Sequence, residues 1–372
     1  MPIRNSNYGR VTWGETLWTV WAILKAPSAL FYALTFARWG SVNSKKPISR
    51  ILRDFLPWYL TSAFNTSQLQ WLDGHNLDKI VSWGKSNKVD VIVEDIGEDA
   101  NLLWIGEKRT DKVILYLHGG GFLIPLADNA PDLLRHIQLK LSDGKPGVGL
   151  VMLDFSTVTE RPFPTQLLQA NLALSHLFKA GVAPENLQLI GDSAGGSLIL
   201  QLFSHALHDF PDPAFTSTSA LRPILAGKMK PLRGAYLMSP YVNLSGHGGS
   251  FESNGDKDIL PLKLWREWGL RLLFKIPKTQ HDFVQFASGP DNWFNGVSKL
   301  VNHVLITAGE DECLHDDVVV FKDKFLKHHS DVEWIDQKDA VHIEPVWGFT
   351  GKDGEGELTK TLVDWHKKTF EL

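Results

Sequence analysis

From residue 89 onward, short apolar runs of strand length alternate with longer segments whose apolar residues recur every three to four positions. The pairs 89–93 (VDVIV) and 102–105 (LLWI) read as an early hairpin. Residues 113–117 (VILYL) and 149–153 (GLVML) are continuous apolar runs, the pattern of parallel strands buried on both faces. Runs at 187–190, 234–238, 304–307 and 332–335 follow. Helical periodicity fills the gaps at 130–142, 165–179, 194–208, 316–328 and 357–369. Strands alternating with helices predict an α/β class chain with a mainly parallel sheet and helices on both faces. Functional loops are then expected at the C-terminal ends of the strands. Residues 210–232 and 242–300, rich in Pro, Gly, Ser and Trp, read as loops and inserted helices above the sheet. The pattern divides the chain into an N-terminal region, 1–84, and an α/β unit, 85–372.

The N-terminal region differs in kind. Residues 12–40 are apolar and aromatic almost throughout, and they hold several of the chain's 14 tryptophans. The stretch has neither the short apolar core nor the small-residue cleavage site of a signal peptide. Glu15, Lys25 and Pro27 interrupt it, and Pro27 would kink a helix. Helices covering a site, contact with a membrane surface, and a membrane anchor all remain open for it. A cytoplasmic or endoplasmic-reticulum and membrane-associated location fits better than secretion.

Composition narrows the chemistry. With 372 residues and 43% hydrophobic content, the chain can bury a large core. Its net charge of −4, from 38 basic and 42 acidic residues, gives no pull towards nucleic acid. Cys313 is the single cysteine, so an intramolecular disulfide and a cysteine-based zinc site are excluded. No metal spacing, phosphate loop or nucleotide fingerprint stands out, and no cofactor is expected.

Two glycine motifs carry the chemistry. Gly191-Asp192-Ser193-Ala194-Gly195 follows the strand at 187–190 and opens the helix at 194. That strand–turn–helix setting is what a nucleophile elbow requires: the glycines allow a sharp turn that holds Ser193 out at the top of the sheet. The plainer alternative is a turn in which Ser193 only caps the helix. The second motif, His118-Gly119-Gly120-Gly121-Phe122, follows the strand at 113–117. Three glycines leave N–H groups free to converge on a developing oxyanion. Gly120 and Gly121 are the expected donors, with the Ala194 N–H as the third. His118 is expected to anchor this loop, and Asp192, too near the nucleophile to orient a base, to set loop hydrogen bonds. Gly246-His247-Gly248-Gly249 repeats the letters, but no apolar strand leads into it, so it reads as a surface loop.

HGGGF followed some 70 residues later by GDSAGG resembles the hormone-sensitive-lipase-type family of α/β-hydrolases, which includes carboxylesterases, steryl acetyl hydrolases and related deacetylases. Asp154-Phe155-Ser156 and Arg161-Pro162-Phe163-Pro164 are similar to the family's intervening segment, with Thr159 where a Pro is expected. The resemblance covers roughly residues 85–372. It implies an α/β-hydrolase fold, with the first 80 residues as a variable helical cap.

In this fold the chain order is nucleophile, acid, His. Of the five late histidines, His342 lies after the last strand and before the last helix, where the resemblance puts the catalytic base. His315 sits beside the acid candidates, His328 and His329 end a helix, and His366 lies within one. The acid is ambiguous. Aligning Leu314 and Asp316 with the family's Asp-Pro-Leu-x-Asp segment gives Glu312, whereas counting from the strand end gives Asp311. Glu312 is preferred and Asp311 is the alternative. The resulting expectation is a cofactor-free serine hydrolase cleaving a short acyl or acetyl ester of a hydrophobic small molecule. An amidase or formamidase, or an acyltransferase or cyclase, would use the same triad. A non-catalytic binding protein of the same fold is the reading from another class.

Overall fold

The computed structural model describes residues 8–35, 48–142, 147–349 and 356–372. Residues 36–40 of the apolar N-terminal stretch therefore lie outside the described residues.

The strands are β1 (Val91–Gly97), β2 (Ala100–Ile105), β3 (Val113–Leu117), β4 (Gly149–Asp154), β5 (Leu187–Asp192), β6 (Leu232–Met238), β7 (Val301–Gly309) and β8 (Val332–Gln337). They form one sheet in the order β1-β2-β4-β3-β5-β6-β7-β8. Pairing is antiparallel for β1–β2 and β2–β4, and parallel from β4 to β8. The hairpin strand β1 runs four residues further than the apolar run at 89–93. Glu94 and Asp95 hid it, because β1 is an edge strand exposing much of one face. Its two-residue turn, Glu98-Asp99, has both residues at positive φ, the geometry that suits a tight hairpin.

The central strands bury both faces, and alternation along each one feeds two separate cores. Leu115 and Leu117 of β3, Leu189 of β5, Leu237 of β6 and Ile306 of β7 face one layer. Ile114, Tyr116, Ile190, Tyr236 and Leu305 face the other. Helices α6 (Thr165–Lys179), α7 (Ala194–Leu207) and α9 (His315–Leu326) cover the first layer, for example through Leu167, Leu198 and Phe321. Helices α5 (Ala130–Lys140) and α10 (Glu357–Phe370) cover the second through Leu133, Leu134 and Leu362. Each of these helices begins and ends within two residues of its predicted span.

Ahead of the sheet come α1 (Trp13–Thr35), α2 (Ile48–Ala63), α3 (Thr66–Asp73) and α4 (Asn76–Asn87). The capping box at Asn65 and Gln68 starts α3, as reciprocal side-chain to backbone bonds satisfy two otherwise unpaired N–H groups. The segment 242–300 supplies α8 (Leu262–Leu273) and shorter turns of helix. Several contacts bind the N-terminal helices to the α/β unit, among them those of Arg53 and Gln70. Arg53 of α2 makes a two-pronged bond to Glu344, at 2.6 and 3.1 Å. Gln70 of α3 donates to the Leu123 carbonyl and to the Thr159 hydroxyl, at 2.6 and 2.8 Å. Thr159, the departure from the family's usual Pro, is thus a hydrogen-bond acceptor for the N-terminal region.

Candidate active site

Ser193 occupies the turn between β5 and α7 with φ of 51° and ψ of −117°, a conformation a non-glycine residue adopts only when its surroundings enforce it. The enforcement is visible. Its N–H donates to the Met238 carbonyl at 2.8 Å, and its own carbonyl accepts from Tyr241 at 3.0 Å. The flanking glycines are required by space: a Cβ on Gly195 would stand 1.8 Å from the Leu117 carbonyl, and one on Gly191 would stand 2.5 Å from Gly195. The Ser193 side chain makes no capping bond to α7, so the plain helix-cap reading has no contact to rest on.

The second motif lies beside it. Gly120 and Gly121 both have positive φ, and a Cβ on either would meet the Ile124 carbonyl at 2.2 Å or the Trp268 ring at 2.4 Å. Gly119 differs, since its N–H is taken by the Asp192 carboxylate at 2.9 Å. The same carboxylate oxygen accepts from the Tyr116 hydroxyl at 2.5 Å. Burial raises the Asp192 pKa, while these two bonds favour the ionised form. Asp192 thus fastens the turn carrying Ser193 to the glycine loop. His118 fastens that loop to α4. One ring nitrogen meets the Gly119 carbonyl at 2.6 Å and the other meets the Asn76 side-chain amide at 2.8 Å. The ring stacks on Phe155, with centroids 4.1 Å apart. Burial holds the His118 pKa down, to about 4, so the ring is neutral and donates from Nδ1.

His342 is buried after β8, and its Nδ1 lies 3.1 Å from Glu312 Oε2. Asp311 turns the other way, towards Lys257 at 3.5 Å. Of the two acid candidates, Glu312 is the one that meets the histidine. Burial pushes the Glu312 carboxyl up, to about 8, and the His342 pKa down. The Trp265 ring stands edge-on to the imidazole, with centroids 5.0 Å apart. The other late histidines are engaged elsewhere. His315 bridges Asp316 and Asp336, His328 and His329 bond backbone carbonyls, and His366 bonds Gln188. His247, Gly248 and Gly249 are exposed, whereas Gly246 is buried against Arg266 and Gly249 opens a short helix to Asn254, so the surface-loop expectation holds only in part.

Sequence reasoning missed Asp258. It lies in the irregular 242–300 segment, yet it is buried and accepts from three backbone N–H groups: Ile259 at 2.7 Å, Cys313 at 2.9 Å and His342 at 3.0 Å. One carboxylate therefore fixes the loop of Glu312 and the loop of His342 relative to each other. Burial raises its pKa, to about 6, opposed by His342 and by the backbone donors. An isolated Asp in an insert carries no linear signal of this role. Asn254, which donates to the Glu310 and Glu312 carbonyls, was missed for the same reason.

Ser193, His342, Gly120 and Gly121 all border one cavity of about 230 Å³. Its walls are mainly apolar, with Leu56, Leu60, Leu69, Leu260 and Trp268 among the lining residues. Among the described residues, no three His, Cys, Asp or Glu side chains gather to hold a metal ion.

Comparison with known proteins agrees with this architecture. Residues 114–344 match the family model described as alpha/beta hydrolase fold. The chain is 28% identical to an acetyl-hydrolase of Streptomyces hygroscopicus, over 64% of this chain and 71% of that protein. It is 26% identical to human hormone-sensitive lipase over 43% of this chain, a match spanning only 15% of the lipase. An esterase from the bacterial hormone-sensitive lipase family superposes with a TM-score of 0.65 at 18% identity, covering 87% of this chain and 99% of that one. The chain belongs to the alpha/beta hydrolase fold family.

Proposed function

We propose that the chain hydrolyses a carboxylic ester of a short acyl group on a hydrophobic molecule, through an acyl-enzyme on Ser193. The observation that carries this reading is the shared cavity, which Ser193, His342 and the two glycines border while Glu312 holds the far side of the imidazole. Ionised Glu312 accepts from the Nδ1–H of His342, which leaves Nε2 unprotonated and able to act as a base. His342 takes the Ser193 hydroxyl proton as Oγ attacks the ester carbonyl. The N–H groups of Gly120, Gly121 and Ala194 receive the resulting oxyanion. The tetrahedral adduct collapses when His342 returns the proton to the departing alcohol. A water then repeats the sequence and releases the acid.

Residues 1–84 serve in this reading as the cap that supplies apolar wall, and residues 85–372 as the catalytic unit. The lining of Leu56, Leu60 and Leu69 supports a hydrophobic alcohol portion. Trp268, pressed against Gly121, leaves little room beside the glycine loop and supports a small acyl group. The names of relatives, acetyl-hydrolase and steryl acetyl hydrolase, point the same way. The test is turnover of p-nitrophenyl acetate by the wild type and by Ser193→Ala. A fall of about 10⁴-fold or more is expected, in a variant that keeps its circular dichroism spectrum and melting temperature. Undiminished turnover would reject Ser193 as nucleophile.

A further inference from the structure

The face of α1 turned away from the protein body has no partner among the described residues. Trp13, Leu17, Val20, Leu24 and Phe31 recur at steps of four, three, four and seven residues, which puts them on one side of the helix. Trp13, Leu17, Leu24 and Phe31 are between 64 and 85% exposed, far beyond what an isolated surface apolar residue needs to explain it. The opposite side is held down. Trp18 Nε1 donates to the Ala63 carbonyl at 2.9 Å, and Gln68 donates to the buried Thr19 hydroxyl at 2.8 Å. Asn65 donates to Glu15 at 2.7 Å, and the Tyr59 hydroxyl donates to the Ala22 carbonyl at 2.8 Å.

We infer that α1 is a monotopic membrane-docking helix, which lies on one leaflet and presents the mouth of the active-site cavity to the lipid. Three observations support lipid as the occupant. The helix is 23 residues long, with a mean hydropathy of 1.3 over its apolar window and little of that window buried against the protein. Its bonds to α2 and α3 oppose a crossing, because a spanning α1 would have to peel away from Asn65, Gln68, Tyr59 and Ala63. Residues 1–47 also carry six Lys or Arg against the single acid Glu15, in a chain whose net charge is −4. That local excess of positive charge in the sequence favours an anionic leaflet. A second copy of the chain would set like charge against like.

The cavity opens on the same group of helices. Leu56 of α2 and Leu72 of α3 both line it and are both exposed, and α1 packs against these two helices. A hydrophobic ester dissolved in the leaflet would reach Ser193 past these leucines without crossing water. The docking stands independently of the esterase reading, whereas the loading route rests on it.

The test uses the full chain and the double variant L17E/L24E, whose substitutions lie outside the cavity lining. Both are sedimented with vesicles of phosphatidylcholine plus phosphatidylserine, and with phosphatidylcholine alone. The expected result is binding of the wild type to the anionic vesicles, weakened at least about tenfold in the variant and reduced by salt. Turnover of soluble p-nitrophenyl acetate should be the same in both proteins, while turnover of a long-alcohol acetate embedded in the vesicles should fall in the variant. Wild type left in the supernatant, or variant bound as tightly as wild type, would overturn the docking. Protection of the N-terminus from added protease would show a crossing and overturn the monotopic placement. Unequal loss on the vesicle substrate alone supports the loading route, and equal turnover of that substrate by both proteins overturns it. Absence of turnover on the soluble ester by the wild type would instead reject the esterase reading while leaving the binding result to stand.

Discussion

Glu312 and Asp311 are adjacent in the chain, yet their side chains meet different partners, His342 and Lys257. Glu312→Gln should therefore lower kcat for p-nitrophenyl acetate by up to about 10⁴-fold, because a Gln amide no longer fixes the imidazole tautomer. Asp311→Asn removes only a partly exposed ion pair with Lys257 and should change kcat by less than about threefold. Equal losses would refute the assignment. The pH dependence follows from burial. The pair becomes active when it loses the proton shared between Glu312 and His342; burial raises the pKa of the carboxyl and lowers that of the imidazole. Activity should rise with pH across a single acid limb as that shared proton is lost. Stability has the opposite sign, since a carboxyl whose folded pKa exceeds its unfolded value of 4.5 gives stability that is lost as pH rises from there through 8. His118 and His366, held down to about 4 and about 3, give stability that is present above 6.5 and lost on acidification. Melting temperatures of the wild type and Glu312→Gln across pH isolate the first contribution. A flat difference would contradict it.

At the scale of elements, the two glycine motifs were legible because each glycine answers to a local constraint that sequence can express. A strand enters, a turn demands positive φ or close approach, and a helix leaves. Gly120→Ala meets both obstacles, a φ of 95° and the Ile124 carbonyl 2.2 Å from the added Cβ. It should lower kcat by about 10²- to 10³-fold, the scale of losing one oxyanion donor. An active Gly120→Ala variant would exclude this glycine as a donor. Asp258 marks where legibility ends. Its three backbone partners lie at Ile259, Cys313 and His342, so its meaning depends on contacts across more than 80 residues. Asp258→Asn sets an amide against a donor N–H, at a cost of about 1–3 kcal/mol. Because the carboxylate positions the loops that carry Glu312 and His342, the proposed mechanism predicts that kcat falls while KM stays near its original value, and that the acid limb shifts. A change confined to melting temperature would reduce Asp258 to a structural residue.

For the whole molecule, the alternation of apolar runs and helical periods was enough to forecast the sheet, since parallel strands buried on both faces leave that signature. Edge strand β1 was harder to bound because half of its side chains face water. The N-terminal helices carry a mixed message in sequence: Glu15, Lys25 and Pro27 interrupt an apolar stretch without ending α1. Only the folded arrangement shows that Glu15 faces Asn65 and that Lys25 lies over the Trp21 ring, 3.9 Å from its centroid. Tethers such as Arg53 to Glu344 join this region to the turn just after His342, so the N-terminal helices and the α/β unit should unfold together.

The most direct test of the central claim is covalent trapping. Wild type and Ser193→Ala are treated with a fluorophosphonate probe and digested, and the adduct is located by mass spectrometry. A single adduct on the peptide containing Ser193, absent from the variant and suppressed by prior p-nitrophenyl acetate, is the predicted result. An adduct on another residue, or a folded wild type that takes up no probe, would contradict the account.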